Sequence, residues 1–282
     1  MISIVLLLFI LFVFLLGITR KTHQTNSLDH LFKSCGHVPK KIHLSWKNKG
    51  IINQTQYDII SNGIHNLKTL NPDYEFYIYD DGEVEAYLKQ RLNPNDYNLI
   101  KNKHIVEKID LWRMILINER GGVYCDIDRL CNIPMKRIID KHTKCILPIF
   151  SSSDYNEGYS KFRKNHEGYS NFSQDIVISG PNNMFLKKYI EMNLERRRKG
   201  AKSIYYLGPM TYKDAITWCL FGRTKMSKEE FLHVENMIKK SKYLKTYVET
   251  PPYDTVLYQG PKINWDKTQL YNDQKAIRWT TA

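Results

Sequence analysis

Strand-like and helix-like segments alternate through the first third of the chain, and this alternation restricts the fold most. We interpret residues 40–46 and 74–79 as strands, the second being rich in aromatic side chains. Residues 55–70 carry apolar side chains at helical spacing, and residues 83–91 form a second, shorter helical pattern. This order predicts an α/β fold with a mainly parallel central sheet, in which ligands bind beyond the carboxyl ends of the strands.

The sequence excludes several common kinds of site. Neither G-x-G-x-x-G nor G-x-x-x-x-G-K-[ST] occurs, so a nucleotide bound by this fold must have its phosphates held in another way. The five cysteines show no C-x-x-C spacing, which argues against a structural zinc site.

The chain is strongly basic, with a formal net charge of +13. Such a field attracts polyanions, acidic membrane surfaces or phosphorylated small molecules, and does not choose among them. The clearest basic cluster, residues 196–199, is interpreted as a solvated helix face. No zinc-finger, RNP-type or leucine-zipper pattern accompanies the charge, so we do not expect a nucleic-acid partner.

Residues 2–18 form an apolar run without a charged side chain. Its length suits a short membrane span. No Lys or Arg precedes the run and no clear A-x-A follows it, which favours a retained signal anchor over a cleaved signal peptide. We therefore divide the chain into a transmembrane signal anchor (residues 1–20), a stem (21–38) and one domain (39–282).

The side of the membrane that the domain faces stays open. Arg20 and Lys21 directly after the run favour a cytosolic domain. The sequons at Asn53 and Asn171 permit a lumenal one. We expect a single-pass protein of Golgi, endoplasmic reticulum or other endomembranes.

Residues 106–131 carry the chemistry. They begin as a helix in which Asp110 and Arg113, three positions apart, project from one face. Gly121 and Gly122 end that helix, and a short apolar strand then presents Asp126 and Asp128. Two carboxylates at a strand end can bind one hard cation such as Mn²⁺ or Mg²⁺, which in turn binds a substrate diphosphate.

The combination of motifs in this segment is more specific than any one of them. A D-x-D tripeptide alone is usually a solvated acidic turn, and an Asp–Arg pair three positions apart is usually a modest helix salt bridge. A D-x-x-R helix followed by Gly-Gly, an apolar strand and D-x-D is much harder to assemble by chance.

The combination resembles the glycosyltransferases with a sugar-binding region containing a DXD motif, a family that includes yeast initiating α-1,6-mannosyltransferases and inositolphosphoceramide mannosyltransferase subunits. Three motifs occur in the family's order. They are a start like I-P-K-x-I-H-x-x-W at residues 38–46, an N-P-x-Y-E segment at 71–75, and a D-L-x-R helix with G-G-x-Y-x-D-x-D, met by Asp110, Leu111, Arg113, Gly121, Gly122, Tyr124, Asp126 and Asp128.

The resemblance implies a GT-A-type nucleotide-sugar-binding fold, a nucleotide-sugar donor, Mn²⁺ or Mg²⁺, and retention of anomeric configuration. It implies that Asp126 and Asp128 hold the metal and that Asp175 lies near the transferred sugar. It also implies that Asp110, Arg113 and Tyr124 take part in binding the donor. Trp46 would stack on the donor base, the alternative being an ordinary core tryptophan. Trp279 would close over the diphosphate, although the histidine usual near this end is absent.

The sequence therefore predicts a metal-dependent retaining glycosyltransferase that moves a hexose from GDP-mannose or a UDP-hexose to a glycan, glycolipid or protein-linked acceptor. The alternative is a catalytically inactive family member that binds glycans or a partner protein while tethered to the membrane. The sequence names neither the sugar nor the acceptor.

Overall fold

A computed structural model describes residues 28–49, 58–127, 134–150, 172 and 174–249, and its strands and helices alternate along the chain. The strands are β1 (Lys41–Ser45), β2 (Glu75–Tyr79), β3 (Gly122–Cys125), β4 (Cys145–Phe150), β5 (Ile176–Ser179) and β6 (Leu244–Glu249). The helices are α1 (Asp58–Leu70), α2 (Asp81–Arg91), α3 (Pro94–Asn98), α4 (Ile105–Arg120), α5 (Met184–Arg198), α6 (Ile204–Leu207), α7 (Pro209–Phe221) and α8 (Lys228–Lys240), with 3₁₀ turns at Leu28–Phe32 and Met135–Arg137.

The six strands form one mixed sheet in the order β2-β1-β3-β5-β4-β6. β1 pairs in parallel with β2 and β3, and β4 pairs in parallel with β6. β5 is antiparallel to both of its neighbours, β3 and β4. The predicted α/β fold is confirmed, with five strands running one way and β5 reversed. The residues that precede β5 therefore lie at the same edge as the carboxyl ends of β1 and β3.

Alternating side chains of the strands supply two separate cores. Ile42 and Val123 face the α1 side and pack in one cluster with Ile64. Tyr124, one position along β3, faces the opposite side and packs in a larger cluster with Trp112 of α4. This is the period of two expected of a strand buried on both faces. The sheet is thus covered on both faces.

The turn between α4 and β3 has the form that the sequence predicts. The backbone amide of Gly121 donates to the Ile117 carbonyl at 2.9 Å and ends the helix. Gly121 has φ 65°, and a Cβ there would lie 2.7 Å from Cδ of Pro39. Only glycine fits this close approach, and the turn sends the chain directly back into β3.

Part of the segment predicted to be a stem is packed in the core. Leu28, Phe32 and Cys35 are buried in the larger core. The Lys144 ammonium donates to the Phe32 carbonyl at 2.8 Å and to the Lys33 carbonyl at 3.3 Å. The predicted anchor, residues 1–20, lies outside the described residues. Among the helices that the structure describes, none is both long and apolar enough to cross a membrane.

The basic cluster near the end of α5 is engaged with acidic residues of the same chain. Arg196 pairs with Asp214, Arg197 with Glu107 at 3.0 Å, and Arg198 with Asp96 at 2.5 Å. Arg197 is buried, so the interpretation of this cluster as a solvated helix face was wrong for that residue. A buried guanidinium needs a partner, and Glu107 of α4 supplies it.

His43 of β1 is a fully buried imidazole. Its Nε2 lies 3.2 Å from the Gly121 carbonyl oxygen and its Nδ1 lies 3.2 Å from the Tyr79 hydroxyl. Burial lowers the pKa of His43 from 6.5 to about 4. The imidazole is therefore neutral in the folded protein at neutral pH.

We predict that His43 makes the fold sensitive to mild acid. The unfolded chain takes up this proton below pH 6.5, whereas the folded protein takes it up only near pH 4. Stability is therefore complete above the unfolded pKa and falls as the pH drops toward the folded one. The loss attributable to His43 is about 3 kcal/mol, from the ~1.4 kcal/mol carried by each pKa unit.

Urea unfolding at pH 7.5 and pH 4 measures this loss. In His43→Gln, the difference in the free energy of unfolding between the two pH values should shrink by that amount. An equal pH dependence in both proteins would contradict the prediction.

Candidate active site

The carboxyl ends of β1 and β3 and the start of β5 meet at one edge of the sheet. Asp126 directly follows β3, and its backbone amide donates to the Asp175 carbonyl at 2.9 Å. Asp175 precedes β5 and is brought here because that strand is reversed. Two of the carboxylates predicted at the site therefore come from adjacent strands.

Arg113 of α4 joins the predicted residues of the helix to those of the strand. One end of its guanidinium donates from Nη2 to Asp110 Oδ1, and the other donates from Nη1 to Asp126 Oδ1 at 3.0 Å. The side chains of Arg113 and Asp110 are 5% and 8% exposed, whereas that of Asp126 is 33% exposed. The guanidinium is thus buried, and only Asp126 reaches the solvent to a substantial extent.

Burial and nearby charge act in opposite directions on the pKa of Arg113. Burial disfavours the charged guanidinium, but the negative charges led by Asp126 outweigh it and raise the pKa of Arg113. Arg113 therefore stays a cation that fixes both carboxylates.

Tyr124 of β3 provides the second donor to Asp126. Its hydroxyl donates to Asp126 Oδ1 at 2.7 Å and lies 3.4 Å from the Ser45 hydroxyl of β1. Burial raises the pKa of Tyr124 well above its usual value, and the charge of Asp126 adds to the shift. The phenol therefore stays protonated, and its ring lies under the Arg113 guanidinium, 5.2 Å from ring centre to Cζ.

The structure brings five predicted residues together: Asp110, Arg113, Tyr124, Asp126 and Asp175. Trp46 follows β1 at the same edge, but its side chain is only 5% exposed and packs in the α1-side core with Leu44 and Ile64. Asp128 and Trp279 lie outside the described residues.

Two further residues from the second half of the chain contact this edge. The Tyr189 hydroxyl of α5 lies 3.4 Å from the Asp110 carbonyl oxygen and donates to the Leu207 carbonyl at 3.2 Å. Gln174, beside Asp175, is buried near Asp110. No sequence motif marks Tyr189, and only its position in α5, packed beside α4, reveals it.

The described residues offer a partial metal-binding set. No group of three or more His, Cys, Asp and Glu side chains that suits a cation occurs within the described ranges. Asp126 nevertheless has the hard, partly exposed carboxylate that Mn²⁺ or Mg²⁺ prefers. Its neighbour in the motif, Asp128, would complete the pair.

Comparison with known proteins agrees with this arrangement. Residues 58–144 match the family described as "Glycosyltransferase sugar-binding region containing DXD motif". This segment of the chain is similar to that glycosyltransferase family. The matched residues include α4, β3 and the Asp110–Arg113–Asp126 network, so the family segment and the buried network coincide.

Two further proteins are similar to this chain. "Inositol phosphoceramide mannosyltransferase 1" of Schizosaccharomyces pombe is 23% identical over 204 residues. The alignment covers 64% of this chain and 61% of the length of that relative. The solved structure "PaToxG Glycosyltransferase" aligns with a TM-score of 0.45 and 15% identity, over 76% of this chain and 91% of that one.

We predict that the fold depends on pairing Arg113 with its carboxylates. Arg113→Met leaves Asp110 buried without a counter-charge, and removing one partner of a buried pair costs about 3–5 kcal/mol. The double variant Asp110→Asn/Arg113→Met removes both charges and should recover much of that loss. Chemical denaturation measures the free energy of unfolding of each variant.

The matched control is Arg91→Met, which breaks a partly exposed ion pair with Glu119. A pair of this kind contributes at most about 1 kcal/mol. Equal losses in Arg91→Met and Arg113→Met would contradict the prediction.

Proposed function

We propose that this protein is a metal-dependent retaining glycosyltransferase with a GT-A-type nucleotide-sugar-binding fold. It moves a hexose from a nucleotide-sugar to a glycan, glycolipid or protein-linked acceptor. The observation that carries the proposal is the buried Asp110–Arg113–Asp126 network, which lies at the carboxyl edge of the sheet and within the segment matched by the family.

Asp126 and Asp128 hold a divalent cation, Mn²⁺ or Mg²⁺. When bound, the cation neutralises the negative charge that develops on the departing nucleoside diphosphate. The protein's own part is to keep Asp126 in place. Arg113 and Tyr124 both donate to its Oδ1, so the carboxylate is oriented before the substrate arrives and needs no reorganisation during the reaction.

The other residues contact the organic parts of the substrates. Asp110 accepts a hydrogen bond from a ribose or sugar hydroxyl, and Asp175 lies near the transferred sugar. The acceptor hydroxyl attacks from the same face that the diphosphate leaves, which retains the anomeric configuration. Trp279 closes over the diphosphate, as the family motifs imply, whereas Trp46 packs in the α1-side core, the alternative to stacking on the base.

GDP-mannose is the first donor to test. The relative from S. pombe bears the name of a mannosyltransferase, which favours mannose, and UDP-hexoses follow as alternatives. The apolar run of residues 2–18 supports a single-pass anchor in Golgi, endoplasmic reticulum or other endomembranes.

We predict that turnover requires both carboxylates of the D-x-D motif. Nucleotide release from GDP-mannose, UDP-glucose, UDP-galactose and UDP-N-acetylglucosamine is measured with Mn²⁺ and with EDTA. At least one donor should be turned over with Mn²⁺ only. Asp126→Asn and Asp128→Asn should each lower that rate about 100-fold or more, because the charge on the leaving diphosphate is no longer neutralised.

Asp73→Asn is the matched control, since Asp73 is an exposed carboxylate paired with Lys40 and lies away from this edge. It should keep the wild-type rate. Full activity in Asp128→Asn would refute the metal assignment. Binding of a nucleotide-sugar without any turnover of the four donors would instead favour the inactive, binding-only family member.

A further inference from the structure

A basic surface surrounds the start of α4 and the end of α5. Arg197 pairs with Glu107 at 3.0 Å and Arg198 pairs with Asp96 at 2.5 Å, so the end of α5 is joined to α4 and to α3. The exposed side chains around this junction come from the α3–α4 loop, the end of α5 and the residues that follow it. We call them the basic face, which consists of Lys101, Lys103, Arg198, Lys199, Lys202 and Tyr206.

Acidic partners neutralise only part of the charge of the basic face. Arg198 is paired with Asp96, and Lys199 is paired with Glu195 at 2.5 Å. The other three lysines form no ion pair with any residue that the structure describes. Five positive charges against two negative ones leave a net charge of +3 on this surface. A surface of this kind attracts an anionic partner.

An exposed aromatic ring adjoins these cations. Tyr206 of α6 is 43% exposed. Its carbonyl accepts a hydrogen bond from Arg196 Nη1 at 3.0 Å, and Arg196 Cζ lies 4.1 Å from the centre of its ring. The ring is therefore held at the surface by a cation. A tyrosine among lysines and arginines is typical of protein surfaces at a bilayer interface, where the ring lies at the level of the headgroups.

The basic face borders the edge of the sheet that holds the candidate active site. α4 begins at Ile105, beside the basic face, and Asp110 lies five residues further, about 8 Å along the helix axis. The Leu207 carbonyl, directly after Tyr206, accepts a hydrogen bond from the Tyr189 hydroxyl at 3.2 Å. That hydroxyl also lies 3.4 Å from the Asp110 carbonyl oxygen. A partner bound to the basic face is therefore close to the active-site edge.

The proposed anchor is long enough to allow this face to meet the membrane. The Phe32 ring packs edge-on against the Phe185 ring, with 5.2 Å between their centres, so the amino-terminal segment contacts the start of α5. The basic face lies at the other end of this 15-residue helix, about 22 Å away. Residues 19–27 connect the apolar run to Leu28, and nine residues extend at most about 30 Å. The basic face can thus rest on the bilayer that residues 2–18 span.

We propose that the basic face docks on anionic phospholipid headgroups, so that the globular domain lies on the membrane with its active-site edge near the lipid. Each lysine near an anionic bilayer strengthens such binding about fivefold. The exposed tyrosine and the short connection to the apolar run favour a bilayer over a soluble polyanion. The docking goes beyond the anchor, which restrains the domain but does not orient it. It also favours a lipid-linked acceptor, a consequence that rests on the proposed function.

Hydrogen exchange of the full chain in bilayer nanodiscs tests the docking. The discs contain phosphatidylcholine alone or phosphatidylcholine mixed with phosphatidylserine. Peptides covering residues 99–104 and 198–206 should exchange more slowly in the anionic discs, and salt at about 1 M should remove the difference because it screens the attraction. Equal exchange in the two kinds of disc would overturn the proposal. Protection by single-stranded RNA without protection by phosphatidylserine would also overturn it, and would assign the surface to another polyanion.

The variant Lys101→Glu/Lys103→Glu/Lys202→Glu reverses the three unpaired charges of the basic face. Each attraction to the anionic lipid becomes a repulsion, so the protection in phosphatidylserine discs should disappear. All three side chains are exposed, so the Tm should stay close to that of the wild type and the loss of docking is not a loss of fold. Protection that persists in this variant would contradict the proposal.

The matched control is Lys136→Glu/Arg137→Glu/Lys141→Glu, which changes the net charge by the same amount at exposed positions elsewhere. Met135, beside two of these residues, packs in the α1-side core, on the opposite face of the sheet from α5. The control should keep the protection in anionic discs. Equal loss in both variants would show that only the total charge matters, and would overturn the assignment to the basic face.

The exchange measurement needs neither a donor nor turnover, so the docking and the proposed function are tested separately. Lipid-dependent protection in a protein that turns over none of the four donors supports the docking although the proposed transfer fails. Turnover with Mn²⁺ but without lipid-dependent protection overturns the docking and leaves the proposed function standing.

Discussion

The buried guanidinium of Arg113 is the interaction on which the active-site edge depends. It is desolvated, so it must be paired, and the carboxylates that pair it come from two different elements. Asp110 lies on α4, the same helix as Arg113, whereas Asp126 follows the next strand, β3. The Gly121–Gly122 turn places α4 beside β3. The ion pairs of Arg113 then fix the position of the helix along the strand. Tyr124 adds a protonated donor from the strand itself, so Asp126 is oriented from two directions.

The reversal of β5 supplies the rest of the site. In a fully parallel sheet the residues before a strand lie at the edge opposite the ligand. Because β5 is antiparallel to β3, Gln174 and Asp175 lie instead beside Asp126. The second half of the chain then closes over Asp110 through Tyr189 and the α6–α7 junction. The site thus combines charged groups from the first half of the chain with a buried amide, Gln174, from the second half.

The same need to pair buried charge explains the arginines at the end of α5. A run of like charges normally indicates a solvated or polyanion-binding face. Here each arginine has an acidic partner on another element, and Arg197 reaches Glu107 of α4 from within the core. These three arginines of α5 therefore form ion pairs within the fold. One of the pairs is made with α4, the helix that carries Asp110.

The sequence by itself determined the α/β class, the D-x-x-R helix, its Gly-Gly end and the carboxylate at the end of β3. Each of these depends on local spacing: helical periodicity, a glycine with φ 65° and the period of two in a short strand. Only the tertiary structure decided that β5 is reversed, that Trp46 is packed into a core, that Leu28 and Phe32 are buried in the larger core, and that Gln174 is buried near Asp110. These features depend on contacts between residues tens of positions apart. The free energy of such contacts is set by burial in the folded protein, and the contacts leave no periodic pattern along the chain.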